Sequence, residues 1–316
     1  MGGDILIEVD NGIFLLQGKK SSNIYFIQQK DGIIIDTGHP HQATENLRAL
    51  KDFGLTANDV KYIINTHSHP DHVGGNIHFL NYFSEAKIIS SIRTQRYLEK
   101  KRQYALYDDI EDIAESSPIH IKVKDGDCFN IDNRNIRFLE TPGHTGDSIS
   151  IELDNNILFS GDTLYQNIVP QVDYYDDLLF SLSVLDKTYE RLAARDCKKI
   201  FPGHGIPFDN SEKVFAMLRR KIKRFTDNPL LLLVNTVCPL LELYIKKVPG
   251  KTMSEVLVVF DEYLHRPVSV NLWPTFNDTD FSDSIEKALF LMKTMNMIII
   301  DDNGRIFLSG ELNEHL

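Results

Sequence analysis

Cysteine is scarce in this sequence, which has three in 316 residues: Cys128, Cys197 and Cys238. They lie far apart along the chain, and no two of them have the Cys-x-x-Cys spacing of a redox or zinc-binding pair. The sequence therefore indicates neither a disulfide framework nor a thiolate metal site. This pattern is typical of a reducing compartment, and we expect a cytoplasmic location.

A long apolar run is also missing. Residues 230–245 form the most apolar stretch, but polar residues and Pro239 interrupt it before the roughly 18 apolar positions of a membrane-spanning helix accumulate. The segment Met1–Asp4 lacks the basic start and the apolar core of a secretory signal. We expect a buried helix over residues 230–245, no export and no membrane partner.

Positive charge is not in excess. Lys and Arg number 34 against 45 Asp and Glu, which gives a formal net charge of −11. A protein with this balance is not broadly attracted to nucleic acids or anionic membranes, although a local cationic groove is compatible with it. The 42% of hydrophobic and 25% of charged residues indicate a globular protein with a sizeable core, and the length predicts one large domain and a smaller one.

Three histidines and an aspartate stand directly after an apolar run that predicts a buried strand: His67, His69, Asp71 and His72. Two histidines at alternate positions, where the chain leaves a strand, are able to aim at one point. The two residues that follow Pro70 turn toward a second point, so the pattern predicts two adjacent metal ions. The alternative, a solvated histidine-rich turn, rarely has this order followed by Gly-Gly-Asn.

Three later segments place further ligand types in turns that contain glycine: Thr141-Pro142-Gly143-His144-Thr145, Ser160-Gly161-Asp162-Thr163 and Pro202-Gly203-His204-Gly205. Each segment taken alone has another interpretation. A histidine after Pro-Gly is usually a turn residue, and Asp162 is equally compatible with a helix N-cap. Together with the first motif they predict a metal site, since glycines allow the tight turns that hold imidazoles at metal distance.

The complete set of motifs resembles the metallo-β-lactamase superfamily of metal-dependent hydrolases, from about residue 4 to about residue 210. The resemblance implies an α+β fold, the four-layer αβ/βα sandwich, for a domain of residues 1–210. It assigns the ligands as follows: His67, His69 and His144 to the first metal, Asp71, His72 and His204 to the second, and Asp162 as the bridge between them. The segment Asp36-Thr37-Gly38 also matches the family, and Asp36 is expected to support the metal loop from the second layer of contacts.

Periodicity in the remaining sequence predicts the elements that carry these segments. Residues 4–36 predict an antiparallel meander with a hairpin turn at Asp31-Gly32, and residues 42–52 predict an amphipathic helix. Residues 92–116 indicate a helical insertion that walls the substrate cleft or, alternatively, a helix that only covers the sheet. The other expected elements are strands at 61–65, 86–89, 119–124, 135–140, 147–153, 156–160 and 199–201 and a helix near 177–194.

The character of the sequence changes near residue 211. A basic helix is predicted over residues 211–226, followed by mostly helical sequence to about residue 296 and a hairpin over residues 297–308. We expect a second, mostly helical domain of residues 211–316. Helices that end in a hairpin resemble a winged-helix module, which some family members that cut single-stranded RNA carry. The 13 Lys and Arg and 14 Asp and Glu of this region do not indicate a nucleic-acid surface, so packing or formation of a homodimer is the expected role.

The chemistry expected of this site is hydrolysis. Imidazole and carboxylate ligands without a thiolate suit zinc and also accommodate iron or manganese. Two such ions, about 3.5 to 4 Å apart, hold a bridging hydroxide at neutral pH, and this hydroxide is the expected nucleophile. Asp162 or, through the second ion, Asp71 is expected to orient the water and to pass a proton to the leaving group.

Departures from particular branches of the superfamily narrow the expected substrate. β-Lactamases with a thiolate at the second ion need cysteine where Asp162 stands, and glyoxalase-II-like thioesterases often have a Cys-Gly-Arg segment that is absent here. The acyl-homoserine lactonases are similar in placing a tyrosine where Tyr165 stands, which would donate to the substrate's carbonyl oxygen; a packed tyrosine is the alternative. The expected substrate is a small ester, thioester or lactone, and the alternative activity is an endoribonuclease acting on single-stranded RNA.

Overall fold

The computed structural model describes most of the chain. The described residues are 6–18, 21–98, 117–172, 178–210, 212–228, 231, 237–239, 241–242, 244–246, 248–264 and 281–309. The chain divides into two compact units, one of residues 1–170 and 185–218 and the other of residues 171–184 and 219–316. The domain boundary expected between residues 210 and 211 stays a prediction. Most of the helix predicted over residues 92–116 lies outside the described residues.

Seven strands form the first sheet, in which neighbours follow one another in chain order. They are β1 Ile7–Asp10, β2 Ile13–Leu16, β3 Ile24–Ile27, β4 Gly32–Ile35, β5 Val60–Ile64, β6 Lys87–Ser91 and β7 Ile121–Val123. Strands β1 to β4 pair antiparallel, which confirms the predicted meander, and β4 to β7 pair parallel. Parallel strands need crossover connections, and these contain helices α1 (Ala43–Asp52), α2 (Pro70–Val73) and α3 (Asn76–Tyr82).

The hairpin predicted at Asp31-Gly32 is present, but its turn is longer than these two residues: β3 and β4 pair antiparallel as far as Ile27 and Ile33, so residues 28–32 connect them. Gly32 is the first residue of β4. A Cβ at this position would stand 2.2 Å from the carbonyl oxygen of Asp59, which accepts the N–H of Gly32 at 3.1 Å. The glycine therefore permits close backbone approach between the start of β4 and the segment that leads into β5. This contact joins residues distant in sequence, so the local Asp-Gly pattern does not reveal it.

Six strands form the second sheet, in the order β13-β12-β11-β10-β9-β8. They are β8 Cys128–Ile131, β9 Arg134–Glu140, β10 Ile149–Leu153, β11 Ile157–Gly161, β12 Lys199–Pro202 and β13 Phe208–Asp209. The sequence predicts β9 to β12 but neither edge strand, since β13 is two residues long and β8 is half exposed. Strands β11 and β12 pair parallel, and helix α4 (Leu178–Ala193) lies in the connection between them.

The main core lies between the two sheets, whose inward-facing side chains form one apolar cluster. Ile13 and Ile33 of the first sheet and Phe138, Ile151 and Phe159 of the second are fully buried in it. A second cluster packs α1 and α3 on the other face of the first sheet. Full burial of such a side chain stabilises the fold by about 1.5 to 3 kcal/mol, so these clusters hold the layers together. The architecture confirms the predicted α+β sandwich.

The second unit consists of helices and a small sheet. Helix α5 (Glu212–Asp227), the predicted basic helix, begins in the first unit and ends in the second. The remaining elements are β14 Lys251–Thr252, α6 Met253–Leu264, α7 Phe281–Thr294, β15 Ile298–Ile300 and β16 Arg305–Leu308. Strands β15 and β16 form the predicted hairpin, and β14, which the sequence does not predict, pairs with β16. The winged-helix resemblance stays a prediction. Among the described residues, no helix is long and apolar enough to cross a membrane.

Candidate metal centre

Loops from both sheets bring the predicted ligands together. His67 and His69 follow β5, Asp71 and His72 lie on α2, His144 lies between β9 and β10, Asp162 follows β11, and His204 follows β12. Their nitrogen and oxygen atoms form two groups, and within each group the atoms lie within 4.8 Å of one another. The first group is His67, His69, His144 and Asp162, and the second is Asp71, His72 and His204. Every ligand position predicted from the sequence is therefore present in one of these groups.

The first group is built on three imidazoles. Nδ1 of His69 lies 2.9 Å from Nε2 of His67 and 2.9 Å from Nε2 of His144. His67 and His144 are buried, and His69 is half-buried. Ring nitrogens that converge at this spacing suit coordination of one cation.

The second group is more open to solvent. Oδ2 of Asp71 lies 3.0 Å from Nε2 of His204 and 3.7 Å from Nε2 of His72. His72 is fully buried, whereas Asp71 and His204 are half-buried. Two of the three members of this group are therefore partly accessible to solvent.

Asp162 connects the two groups. Its Oδ2 lies 3.6 Å from Nε2 of His144 and 3.5 Å from Nε2 of His204, and its Oδ1 lies 3.3 Å from Nε2 of His72. One carboxylate thus faces members of both groups, which is the position that the family resemblance implies for a bridging residue.

Two buried atoms at this junction, Oδ1 of Asp162 and Nε2 of His72, lie 3.3 Å apart but make no hydrogen bond of good geometry with each other or with any other described residue. Leaving a buried donor or acceptor unsatisfied costs about 1 to 3 kcal/mol. A divalent cation with nitrogen and oxygen ligands would satisfy both atoms. The chemistry of the donor set therefore fits a metal, and imidazole with carboxylate is a set that zinc, iron and manganese accept.

Asp36 orients two of the imidazoles, as expected from its motif. Its carboxylate lies 2.8 Å from Nδ1 of His72 and accepts the N–H and the hydroxyl of Thr66, each at 2.8 Å. The Thr66 hydroxyl oxygen then lies 3.1 Å from Nδ1 of His67. Because the Nδ1 atoms are the bonded nitrogens, the Nε2 atoms of both rings are left to face the centre.

Gly203 shows how tightly the backbone closes around the centre. A Cβ at this position would stand 2.2 Å from Oδ1 of Asp162 and 2.8 Å from Cε1 of His72. No other residue fits there without displacing the carboxylate of Asp162, which explains the glycine that precedes His204 in the last motif.

The two groups differ in protonation. Burial lowers the pKa of His67 well below its usual value, and the neighbouring imidazoles lower it further. Burial also opposes the charged form of His72, but nearby carboxylates, Asp162 foremost, outweigh it and raise that pKa well above its usual value. The same balance raises the pKa of His204 to about 9. His67 is thus a neutral base, whereas the second group holds protons against its carboxylates when no cation is bound.

We expect metal binding at the second group to release protons. An imidazole nitrogen that coordinates a metal must be deprotonated, whereas the raised pKa values keep His72 and His204 protonated at neutral pH. The affinity for a cation at this group should therefore rise with pH at least until the pH passes about 9, the pKa of His204. Calorimetric titration with zinc in two buffers of different ionisation enthalpy measures the released protons. An affinity that stays constant between about pH 6 and pH 8 would contradict this linkage.

Tyr165 lies half-buried beside the shared carboxylate. Its hydroxyl is within hydrogen-bonding reach of Asp162, and burial together with the Asp162 charge raises its pKa well above the usual value. The phenol therefore keeps its proton and remains a hydrogen-bond donor where the two groups meet. The catalytic role predicted for Tyr165 has the required location and stays a prediction.

Sequence patterns do not reveal one further residue of the site. Asn23 is buried directly before β3, and its side chain donates to the carbonyls of Pro202 and Gly205 on either side of His204. The only signal in the sequence is a polar residue at the start of a strand whose residues are all buried.

Known proteins are similar to this chain over the region that contains the metal-binding groups. The sequence model of the Metallo-beta-lactamase superfamily matches residues 18–204, which contain every member of both groups. The Beta-lactamase-like protein 2 homolog of Caenorhabditis elegans is 33% identical over 217 residues, which cover 67% of this chain and 65% of that protein. The Atrochrysone carboxyl ACP thioesterase of Aspergillus fumigatus is 26% identical over 219 residues, which cover 67% of this chain and 59% of that protein. The chain thus spans less than two thirds of the length of each.

A solved structure extends the likeness over nearly the whole chain. The beta-lactamase domain protein from Burkholderia ambifaria covers 97% of this chain and 96% of its own, with a TM-score of 0.61 and 18% sequence identity. At this identity the likeness concerns the fold. The sandwich fold, the sequence motifs and the match to the family model agree with one another. The chain therefore belongs to the metallo-β-lactamase superfamily.

Proposed function

We propose that this protein is a metal-dependent hydrolase that cleaves a small ester, thioester or lactone. The observation that carries the proposal is the position of Asp162, whose buried carboxylate faces both ligand groups and the hydroxyl of Tyr165. A centre of this kind places a donor for a carbonyl oxygen beside the residues that would hold the metals, which is what acyl cleavage requires.

The first group would hold one divalent ion and the second group another, with Asp162 in contact with both. Zinc is the proposed metal, and iron and manganese are its rivals, since all three bind imidazole and carboxylate. When bound, such ions lower the pKa of a coordinated water and polarise the substrate's oxygen, so that a nucleophile is available at neutral pH.

The chain's own side chains move protons and bind the substrate's oxygen. Burial raises the pKa of Asp71, but the positive charge of His72 and contact with His204 outweigh it, so this group is a carboxylate at neutral pH. It lies on the open side of the centre, where it would accept the proton of the attacking water and return it to the leaving group. Tyr165 would donate to the carbonyl oxygen as negative charge develops on it.

Apolar side chains on two loops of the site support an acyl substrate. Ile206 is 66% exposed and stands two residues after His204, and Ile168 is 60% exposed and stands three residues after Tyr165. Two or three residues of extended chain span at most about 7 to 11 Å, so the backbone of both residues lies within that distance of His204 or Tyr165. These two side chains are the proposed contacts for an apolar part of the substrate. The name of the Aspergillus fumigatus relative, a thioesterase, agrees with this class.

We expect Ile206→Asp to lower kcat/KM about 10-fold for substrates with a long aliphatic acyl chain, and less for acetyl substrates, because a charge replaces an apolar contact. Rates for a series of acyl chain lengths measure the effect. Ile7→Asp is the matched control, since Ile7 is 56% exposed on strand β1 and should leave all rates unchanged. A loss that is equal for every chain length would contradict a contact with the acyl group.

Cleavage of single-stranded RNA is the alternative reaction for the same centre. For this reaction the basic helix α5 would have to bind the RNA phosphates. Lys223 of that helix already pairs with Asp227 at 3.0 Å, and the whole chain carries a net charge of −11. The two activities are assayed on the same protein sample, whose zinc content is measured. We expect this sample to hydrolyse a thioester or a lactone and to leave single-stranded RNA intact. Salt-sensitive RNA cleavage without acyl hydrolysis would replace the proposal with the nuclease.

A further inference from the structure

Asn23 bonds to the backbone on both sides of His204. Its Nδ2 donates to the carbonyl of Pro202 at 3.0 Å and to the carbonyl of Gly205 at 2.9 Å. Its backbone N–H donates to the carbonyl of Gly203 at 2.6 Å. One residue at the start of β3 thus fixes the carbonyls of the three residues that surround a member of the second group.

The loop of His204 depends on such contacts because glycine flanks the histidine. Gly203 has no room for a Cβ beside Asp162, and Gly205 has a positive φ of 84°, which favours glycine. A Gly-His-Gly backbone loses much conformational entropy when it is ordered. The His204 side chain is itself 37% exposed, so packing alone does not fix it. Hydrogen bonds to the backbone supply that restraint.

The two residues before Asn23 contact the other open member of the second group. The backbone N–H of Ser22 donates to the carbonyl of Asp71 at 3.2 Å, and the hydroxyl of Ser21 donates to the same carbonyl at 3.3 Å. The segment of residues 21–23 therefore ties together Asp71 and His204, which come from connections of different sheets. In the first group, by contrast, His67 is held through Thr66.

We infer that Asn23 is a positioning residue for the second metal: it holds His204 at ligand distance, and its loss weakens the second metal equivalent selectively. The amide orientation supports this role, since Oδ1 of Asn23 accepts the N–H of Gly18 and thereby directs Nδ2 toward the His204 loop. The inference rests on the metal centre of the proposed function but not on its substrate.

The variant that tests the inference is Asn23→Asp, which keeps the size of the side chain but removes the donors to Pro202 and Gly205. Zinc is added to the chelator-treated full-length chain, and both equivalents are measured by equilibrium dialysis with elemental analysis. We expect the second equivalent to bind 10- to 100-fold more weakly, the usual effect of losing such a supporting contact, and the first to change less than about twofold. Cobalt in place of zinc reports the same loss through its absorption spectrum.

The matched control is Asn210→Asp. Asn210 also donates its side-chain N–H to a backbone carbonyl, that of Cys197, at 2.7 Å, at the opposite end of β12 from His204. The metal-free Tm of both variants is measured, and we expect the two to match. If Asn23→Asp fails to fold, Asn23→Ser takes its place, since it removes the amide donors without placing a carboxylate against the carbonyls of Pro202 and Gly205.

Three outcomes overturn the inference. If the Asn23 variant binds the second zinc equivalent with wild-type affinity, then His204 does not need the support of Asn23. Parallel loss of both equivalents together with a lower metal-free Tm shows a merely structural role. A wild-type chain that fails to bind a second equivalent overturns the metal centre and this inference with it.

Discussion

Asp162→Ala should lower kcat/KM by at least about 100-fold while leaving the fold intact. The wild-type carboxylate lies within 3.6 Å of His72, His144 and His204, so its removal takes away the carboxylate that faces residues of both groups. It also leaves the protonated His72 without its main counter-charge. Elemental analysis should show loss of one metal equivalent, and circular dichroism should show an unchanged content of secondary structure.

Asp209→Ala is the control for this variant, because Asp209 is an exposed aspartate on the edge strand β13 of the same sheet. It should keep wild-type rates and metal content. Near-normal turnover in Asp162→Ala, at normal metal content, would show that this carboxylate does not join the two groups.

Tyr165→Phe should lower kcat about 10- to 100-fold on acyl substrates, equivalent to about 1 to 3 kcal/mol of transition-state stabilisation, because it removes one donor from the developing oxyanion. Metal content should not change, since the phenol keeps its proton and is no ligand. Single-turnover rates on a thioester or lactone, measured with metal content on the same sample, test this.

Tyr189→Phe is the matched control for the phenol. Tyr189 is fully buried, and its hydroxyl has no hydrogen-bond partner among the described residues. Removal of that hydroxyl should therefore leave kcat unchanged. If both variants lose activity to the same extent, or if Tyr165→Phe raises KM at constant kcat, then Tyr165 contributes to packing or uniform binding and not to the transition state.

The residues that meet at the centre can be predicted from the sequence because the segments, although ambiguous one by one, together match the ordered set of motifs of one family. His67 and His69 follow a strand with period-two spacing, which aims both side chains to one side. Pro70 is compatible with the first turn of a helix, and α2 begins there. The elements that carry these segments are strongly periodic, and for this reason α1 and the strands β9 to β12 lie close to their predicted bounds.

Contacts between residues distant in sequence account for what the sequence does not show. Asn23 reaches carbonyls about 180 residues further along the chain, and an isolated polar residue before a strand does not indicate them. Gly32 ends the predicted hairpin connection, but the close approach of the Asp59 carbonyl, which leaves no room for a Cβ, is not visible in the local sequence. The edge strand β13 exists because β12 pairs with it, and two residues are too short for a periodic pattern.

The metal content of the full-length protein, purified without chelator and measured by elemental analysis, tests the central claim most directly. Two ligand groups that share Asp162 predict about two transition-metal ions per chain. A chain that binds no transition metal, even after reconstitution with zinc, iron or manganese, would contradict the account.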